Sequence, residues 1–216
     1  MMPSSNPLTL NYSNANEATA PSKRTGRIIL VGLIAVGLFF ASMNSIWSFM
    51  ERVGDAEGFS AEFITMTLSI SLVFSFAGAL IPALIARRIK RIIAIGIGYI
   101  MLLIAIFLLG QNPTANIYLI SLCVYNFFYS FSIPFQNGWI ASLDRDGRTI
   151  VLLPVMQGIG IAIGPVLAGL VIFGESYRNV IYVSIALLLC SFILFLLMKK
   201  WSGYDKNFAQ YEGMIK

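Results

Sequence analysis

The 216-residue chain contains no histidine. That removes the usual general base near neutral pH and the commonest metal ligand, so a metalloenzyme or an intramembrane protease is disfavoured, and neither a metal nor a cofactor is expected. No Gly-x-x-x-x-Gly-Lys stretch is present to cradle a nucleotide, and primary pumping would need another subunit. Cysteine is scarce: Cys123 and Cys190 are the two in the chain, and both fall inside apolar runs. A disulfide framework is excluded and both read as packing residues. Charge is scarce as well, at 12% of residues against about 25% in soluble domains.

What fills the space is apolar. Hydrophobic residues make up 57% of the chain and the mean hydropathy is +0.79, the signature of a membrane protein. Runs free or nearly free of charge cover Ile28–Met50, Phe63–Ala86, Ile92–Gly110, Ala115–Ser142, Thr149–Phe173 and Asn179–Met198. Each is long enough for the roughly 20 residues of a bilayer helix. Backbone groups cannot stay unpaired in lipid, so the expected fold is all-α, a bundle of transmembrane helices spanning 27–200. Residues 1–26, rich in Ser, Asn, Thr and Pro without apolar periodicity, are expected to form a disordered cytoplasmic tail or connector. They hold neither a signal peptide nor a transit peptide. Residues 201–216 are expected to form a second cytoplasmic tail.

Orientation follows from the cations, because short loops rich in Lys and Arg stay cytoplasmic. Of the 15 Lys and Arg, all but Arg52 and Arg178 fall on one side of such a six-span chain. The other side carries Glu51, Asp55, Glu57, Glu62 and Glu175. Both termini are therefore expected in the cytoplasm. The pI of about 9.3 calls for no nucleic acid, since the cations cluster at membrane boundaries and not in an aromatic-studded patch.

The fifth run, "TIVLLPVMQGIGIAIGPVLAGLVIF", sets glycines and prolines where a soluble helix would lose about 1 kcal/mol and about 3 kcal/mol for each. In lipid, helices associate by close packing, and small residues favour it. Gly160, Gly164 and Ala168 stand four apart on one face, and Pro165 cannot donate to the carbonyl of Ile161, which permits a bend. A generic packing seam with no part in transport is the competing reading. "GIGIAIG" imitates a dinucleotide fingerprint, but that motif needs a preceding strand in a soluble βαβ unit.

Three stretches resemble the major facilitator superfamily of secondary transporters, and specifically one six-helix half of it. "GIAIGPVLAG", Gly160 to Gly169, is similar to the Gly-x-x-x-Gly-Pro-x-x-Gly-Gly pattern of the fifth helix of a half, with Ala168 at the first paired glycine. "LDRDGR", Leu143 to Arg148, looks like the Asp-x-x-Gly-Arg loop, drawing Asp144 and Arg148 into the cytoplasmic loop set. "ARRIKR", Ala86 to Arg91, resembles the basic Asp-Arg-x-Gly-Arg motif, with Arg87 at the acid position, Lys90 at the glycine position, and Arg88 and Arg91 at the basic ones. That degeneracy, with "WSFMERVG" closing the first span, favours the carboxyl-terminal half. The resemblance implies a helix-packing and gating role for Gly160, Gly164, Pro165 and Gly169. It also implies alternating access by two halves that rock around a central path, in a multi-pass protein of the bacterial cytoplasmic (inner) membrane.

Half a cavity should leave helix faces too polar for lipid. On the fourth run Tyr118, Tyr125, Tyr129, Ser132 and Gln136 fall within a stripe about 60° wide. Tyr125 and Tyr129 lie roughly 15 to 21 Å down a core about 30 Å thick. Tyrosines bonded to a neighbouring helix are the alternative, since each hydroxyl needs a partner. The first run presents Phe40, Asn44, Trp47, Ser48 and Glu51 on one face, and Glu51 reads either as a proton-coupling acid or as an interfacial residue. Asn126 and Gln157 are further mid-membrane amides, candidates for the path or for helix glue. No acid or base occupies the middle of any run.

The expected partners are the lipid bilayer, a small-molecule substrate that is neutral or a cationic amphiphile, and a second six-helix half, with a homodimer as the alternative. A full member of the family has about twelve helices, so these six are expected to be the second half of a longer or split transporter. A six-span channel and a non-transporting membrane scaffold are the rivals. Asn112 and Pro113 resemble the Asn-Pro pairs of water channels, but only one copy exists, without a re-entrant helix behind it.

Overall fold

The structure is a computed structural model that describes residues 23–144, 147, 149–172 and 177–202, with side chains from residue 25 onward. It is all-helical: α1 Lys23–Trp47, α2 Met50–Ala56, α3 Ala61–Ile85, α4 Arg91–Leu109, α5 Ala115–Leu143, α6 Leu152–Leu170 and α7 Arg178–Ser202. Among the described residues six helices, counting α1 with α2 as one, are long and apolar enough to cross a membrane. Their ends fall within a few residues of those expected, except that the first span runs on to Ala56.

That extension is helical because its stop signal comes late. Gly58 adopts φ 79°, and the Gly58 and Phe59 amides donate back to the carbonyls of Asp55 and Gly54 at 2.9 and 3.1 Å. This double return closes a helix only where a left-handed residue follows it, a conformation that glycine takes without strain. Between α1 and α2 the ladder slips at Phe49, whose amide reaches Ile46 and not Ser45. Ser60 then opens α3 by accepting from the Phe63 amide at 3.3 Å.

The packing is pairwise and directional. α1 lies along α6, with Gly160 against Gly37 and Phe40 and Gly164 against Ala41 and Ser45. The two helices run the same way. α3 lies along α5 in the same sense, through Ser71 with Asn126 and Ser75 with Ser130. The other main contacts are antiparallel: α1 with α7 through Ser42 and Ser184 and through Ala35 and Ser191, α4 with α5 through Arg91 over Gly138 and Gly98 against Ser132, and α4 with α7, with lesser contacts of α1 with α5, α6 with α7 and α2 with α3.

Exchanging α1, α3 and α4 for α5, α6 and α7 carries these main pairs onto one another, although the lesser contact of α6 with α7 has no equal between α3 and α4. The pair α1 and α6 becomes α5 and α3, α1 and α7 becomes α5 and α4, and α4 with α7 is unchanged. Because α1 and α5 run in opposite directions, the main helix pairing follows a three-helix unit repeated in inverted sense. The first span is the most enclosed, with 72% of its most apolar stretch buried, whereas the corresponding stretches of α3 and α6 are 17% and 22% buried. α3 and α6 therefore flank the bundle. An aromatic column of Phe39, Tyr99 and Phe192, with neighbouring ring centroids 5.3 Å apart, joins α1, α4 and α7 behind them.

Candidate functional site

The polar stripe of α5 has two destinations. Towards its amino end, the Tyr118 hydroxyl donates to the carbonyl of Met50 at 2.8 Å and the Tyr125 hydroxyl to that of Met43. Both rings are buried. These tyrosines fasten α5 to the bend of the first span, which is the neighbour-bonded alternative for their hydroxyls. Towards its carboxyl end the stripe faces α4, where Ser132 fits against Gly98 and Gln136 donates to the Tyr99 hydroxyl at 3.3 Å.

The direction of the bonds beyond Gln136 is fixed by elimination. Ser191 gives its only hydroxyl hydrogen to the Ala35 carbonyl at 2.6 Å, so in its 2.7 Å contact with Tyr99 the tyrosine is the donor. One chain of donors thus crosses four helices, from Gln136 on α5 through Tyr99 on α4 and Ser191 on α7 to Ala35 on α1. Ser132 and Gln136 are fully buried in this seam and do not face an open path.

An open recess does exist where the middle of α5 meets α1 and α3. Its volume is about 210 Å³, and it is lined by Met43, Asn44 and Trp47 from α1, Leu72 and Ser75 from α3, and Tyr125, Asn126 and Tyr129 from α5. Asn44, Trp47, Tyr125, Asn126 and Tyr129 are therefore brought together. Asn44 and Trp47 are half-buried, as is Tyr129. The Tyr129 ring stacks on Phe39 at 5.9 Å and meets Phe40 edge-on at 5.8 Å, and its hydroxyl lies beside the Asn44 side chain. The Asn126 amide donates to Ser71 at 3.0 Å and to the Leu122 carbonyl at 3.3 Å, using both hydrogens.

Sequence reasoning missed Ser71 and Ser75. The signal was available: serines four apart on the second span stand opposite Asn126 and Ser130, four apart on the fourth, and bond as two rungs.

Glu51 and Gln157 lie elsewhere. Glu51 is exposed in the first turn of α2 and does not line the recess. Gln157 on α6 donates to Asn137 on α5 at 3.2 Å, bridging helices with little other contact. Gly160 and Gly164 pack as a seam, where a Cβ on Gly164 would stand 2.5 Å from the Ala41 carbonyl oxygen. Gly169 departs from the packing role given to it: it is exposed, and a Cβ there would meet nothing within 4 Å. The physical reason is angular, since Gly169 is one residue past Ala168, about 100° off the seam. Pro165 sits within α6, half-buried beside Gly164.

In the loops, Arg87 and Arg88 are exposed, while Arg91 lies half-buried with its Nε 3.9 Å from where a Cβ on Gly138 would be. The Asp144 carboxylate accepts from the amides of Thr149 and Ile150, each at 2.7 Å, and closes its loop onto the start of α6. Arg148, the last residue of the loop set, lies outside the described residues, as do the cations Arg145, Lys206 and Lys216.

Comparison with known proteins gave no match to a family, to a characterised protein or to a solved structure.

Proposed function

We propose that the chain is one six-helix half of a secondary active transporter of the major facilitator type, moving a small solute by alternating access. The observation that carries this reading is the inverted three-helix repeat, with an uncharged polar recess opening between α1, α3 and α5. Inverted repeats are the architecture by which many transporters form two conformations around one central site. The glycine-proline pattern of α6 and the two loop motifs support the same assignment.

In this reading both termini are cytoplasmic in a bacterial inner membrane, and the face bearing Asn44, Trp47 and Tyr129 meets a second six-helix unit. Left against lipid, the hydrogen-bonding capacity that these groups do not direct to Phe40 and to each other would go unmet, at a cost of several kcal/mol for each unpaired group. The seam between α1 and α6 transmits rocking as a rigid body, and the recess is half of the solute path.

Flux in proteoliposomes tests the reading, using the chain purified from its own membranes with whatever six-helix unit accompanies it. Saturable uptake with counterflow is expected. Conduction without exchange identifies a channel, and no flux under any gradient identifies a scaffold. Saturable flux by the chain as a monomer would retain transport but refute the half.

A further inference from the structure

The recess has a chemical bias that its lining makes explicit. It contains no Lys, Arg, Asp or Glu. One of its two amide donors is already engaged, because both hydrogens of Asn126 Nδ2 are used by Ser71 and Leu122. The Tyr125 hydroxyl hydrogen goes to the Met43 carbonyl, and Asn44 Nδ2 gives a hydrogen to the Phe40 carbonyl at 2.8 Å. What the lining then offers is neutral in donors and acceptors alike: the amide oxygens of Asn44 and Asn126 and the tyrosine oxygens as acceptors, and Trp47 Nε1, the Tyr129 hydroxyl and the second Asn44 hydrogen as donors. Beside these groups stand the rings of Trp47, Tyr125 and Tyr129, with Tyr129 stacked on Phe39 and Trp47 half-buried, and aromatic faces carry negative charge density.

An anion entering such a site would lose its water and meet no positive charge, only neutral donors. A cation with an apolar body would meet ring faces and amide oxygen. We infer that the recess takes a small organic cation, a substituted ammonium whose apolar part is no larger than one ring. This rests on the reading of the recess as a solute path. The volume of about 210 Å³ is below the roughly 300 Å³ of ordinary ligand pockets, which sets the size limit for the part of the solute that this unit holds.

Three probes of one shape separate charge from bulk: phenyltrimethylammonium, its neutral isostere tert-butylbenzene, and benzenesulfonate. Each is titrated by calorimetry against the full chain in nanodiscs, and again against Trp47→Leu and Trp47→Phe. The cation is expected to bind at least about 5-fold tighter than the neutral isostere, with benzenesulfonate weakest. Trp47→Leu is expected to weaken the cation about 3- to 30-fold, the range of a desolvated cation–π contact, while Trp47→Phe retains most of the affinity. The fold of each variant is checked by its thermal midpoint.

Equal binding of cation and isostere, tighter binding of the sulfonate, or indifference to Trp47→Leu overturns the inference. Failure of all three probes to bind overturns it too. Flux is scored separately, so cation binding without counterflow keeps this site and removes the transporter reading, whereas counterflow of an anionic solute does the reverse.

Discussion

The single hydroxyl hydrogen of Ser45 on α1 is shared between the carbonyl of Gly164 on α6 and the Ala41 carbonyl of its own helix, each oxygen 2.7 Å away. A side-chain bond to a neighbouring backbone is possible only if the two helices nearly touch, and the absence of a side chain at Gly164 and Gly160 is what lets them. The same relationship recurs across the inverted repeat, where Gly78 of α3 lies against the backbone of Phe127 on α5.

Gly164→Leu is therefore expected to force α6 away from α1. Overpacking a close contact costs about 1–3 kcal/mol, and the Ser45 bond is lost with it. The thermal midpoint in detergent should fall and transport should drop to background, with insertion unchanged. Gly169→Leu is the matched control, one turn on but off the seam, and should leave the midpoint unchanged or raise it. Equal damage from both would show that bulk anywhere on α6 is harmful and that the seam is not special.

The chain of donors from Gln136 to Ala35 gives a second expectation. Tyr99→Phe removes its middle, leaving the Gln136 amide and the Ser191 hydroxyl oxygen without their shared partner. Interhelical hydrogen bonds in membranes contribute about 0.6 kcal/mol on average and up to about 1.7, so a loss near the upper figure is expected for a link that serves two bonds. A double-mutant cycle with Gln136→Leu, read by unfolding in mixed micelles, should show coupling of about 0.5 kcal/mol or more. Strict additivity would mean that the two groups do not cooperate.

Topology is tested by labelling. Cysteines placed at Glu57 and at Lys90, in a background lacking Cys123 and Cys190, lie at opposite ends of the bundle. An impermeant thiol reagent applied to intact cells should modify the first and spare the second. The opposite pattern, or reaction at both, would reverse or break the assignment of both termini to the cytoplasm.

Much of the fold was legible because hydrophobic runs in a membrane chain leave little choice of secondary structure. The six spans follow from length and charge alone, and the Gly160–Gly164 face from spacing. Neighbours were harder. Spacing placed Tyr125 and Gln136 on one stripe of α5, but not that the first would bond α1 and the second α4, because that depends on which helices flank α5. The break at Phe49 was also hidden, since it lies where tertiary bonds from Tyr118 and Tyr125 meet the backbone. Gly169 shows the opposite limit: a pattern match gave it a packing role, whereas one residue past Ala168 it stands off the seam and a Cβ there would touch nothing. The recess was partly legible through its aromatic and amide residues. Its α3 wall was not, because Leu72 and Ser75 look like any residues of an apolar helix until Asn126 and Ser130 stand opposite them.

The remaining prediction asks whether water reaches the recess. Ile104, exposed on α4, belongs to the side of the bundle away from α3 and the recess, and in a bilayer it faces acyl chains. Asn44 lines the recess and, on the proposed reading, faces a path shared with a second unit. Single cysteines at these positions, again without Cys123 and Cys190, differ in what surrounds them far more than in depth. A thiol must ionise to react with a charged methanethiosulfonate, and ionisation in hydrocarbon is prohibitive. Asn44→Cys should therefore react in native membranes while Ile104→Cys stays unmodified. Adding a solute that the path carries should slow the first reaction and leave the second as it was. If both thiols are inert, the recess is sealed by lipid or by packed protein; Asn44, Trp47 and Tyr129 are then bonded across a dry interface, and the path through this unit must be given up.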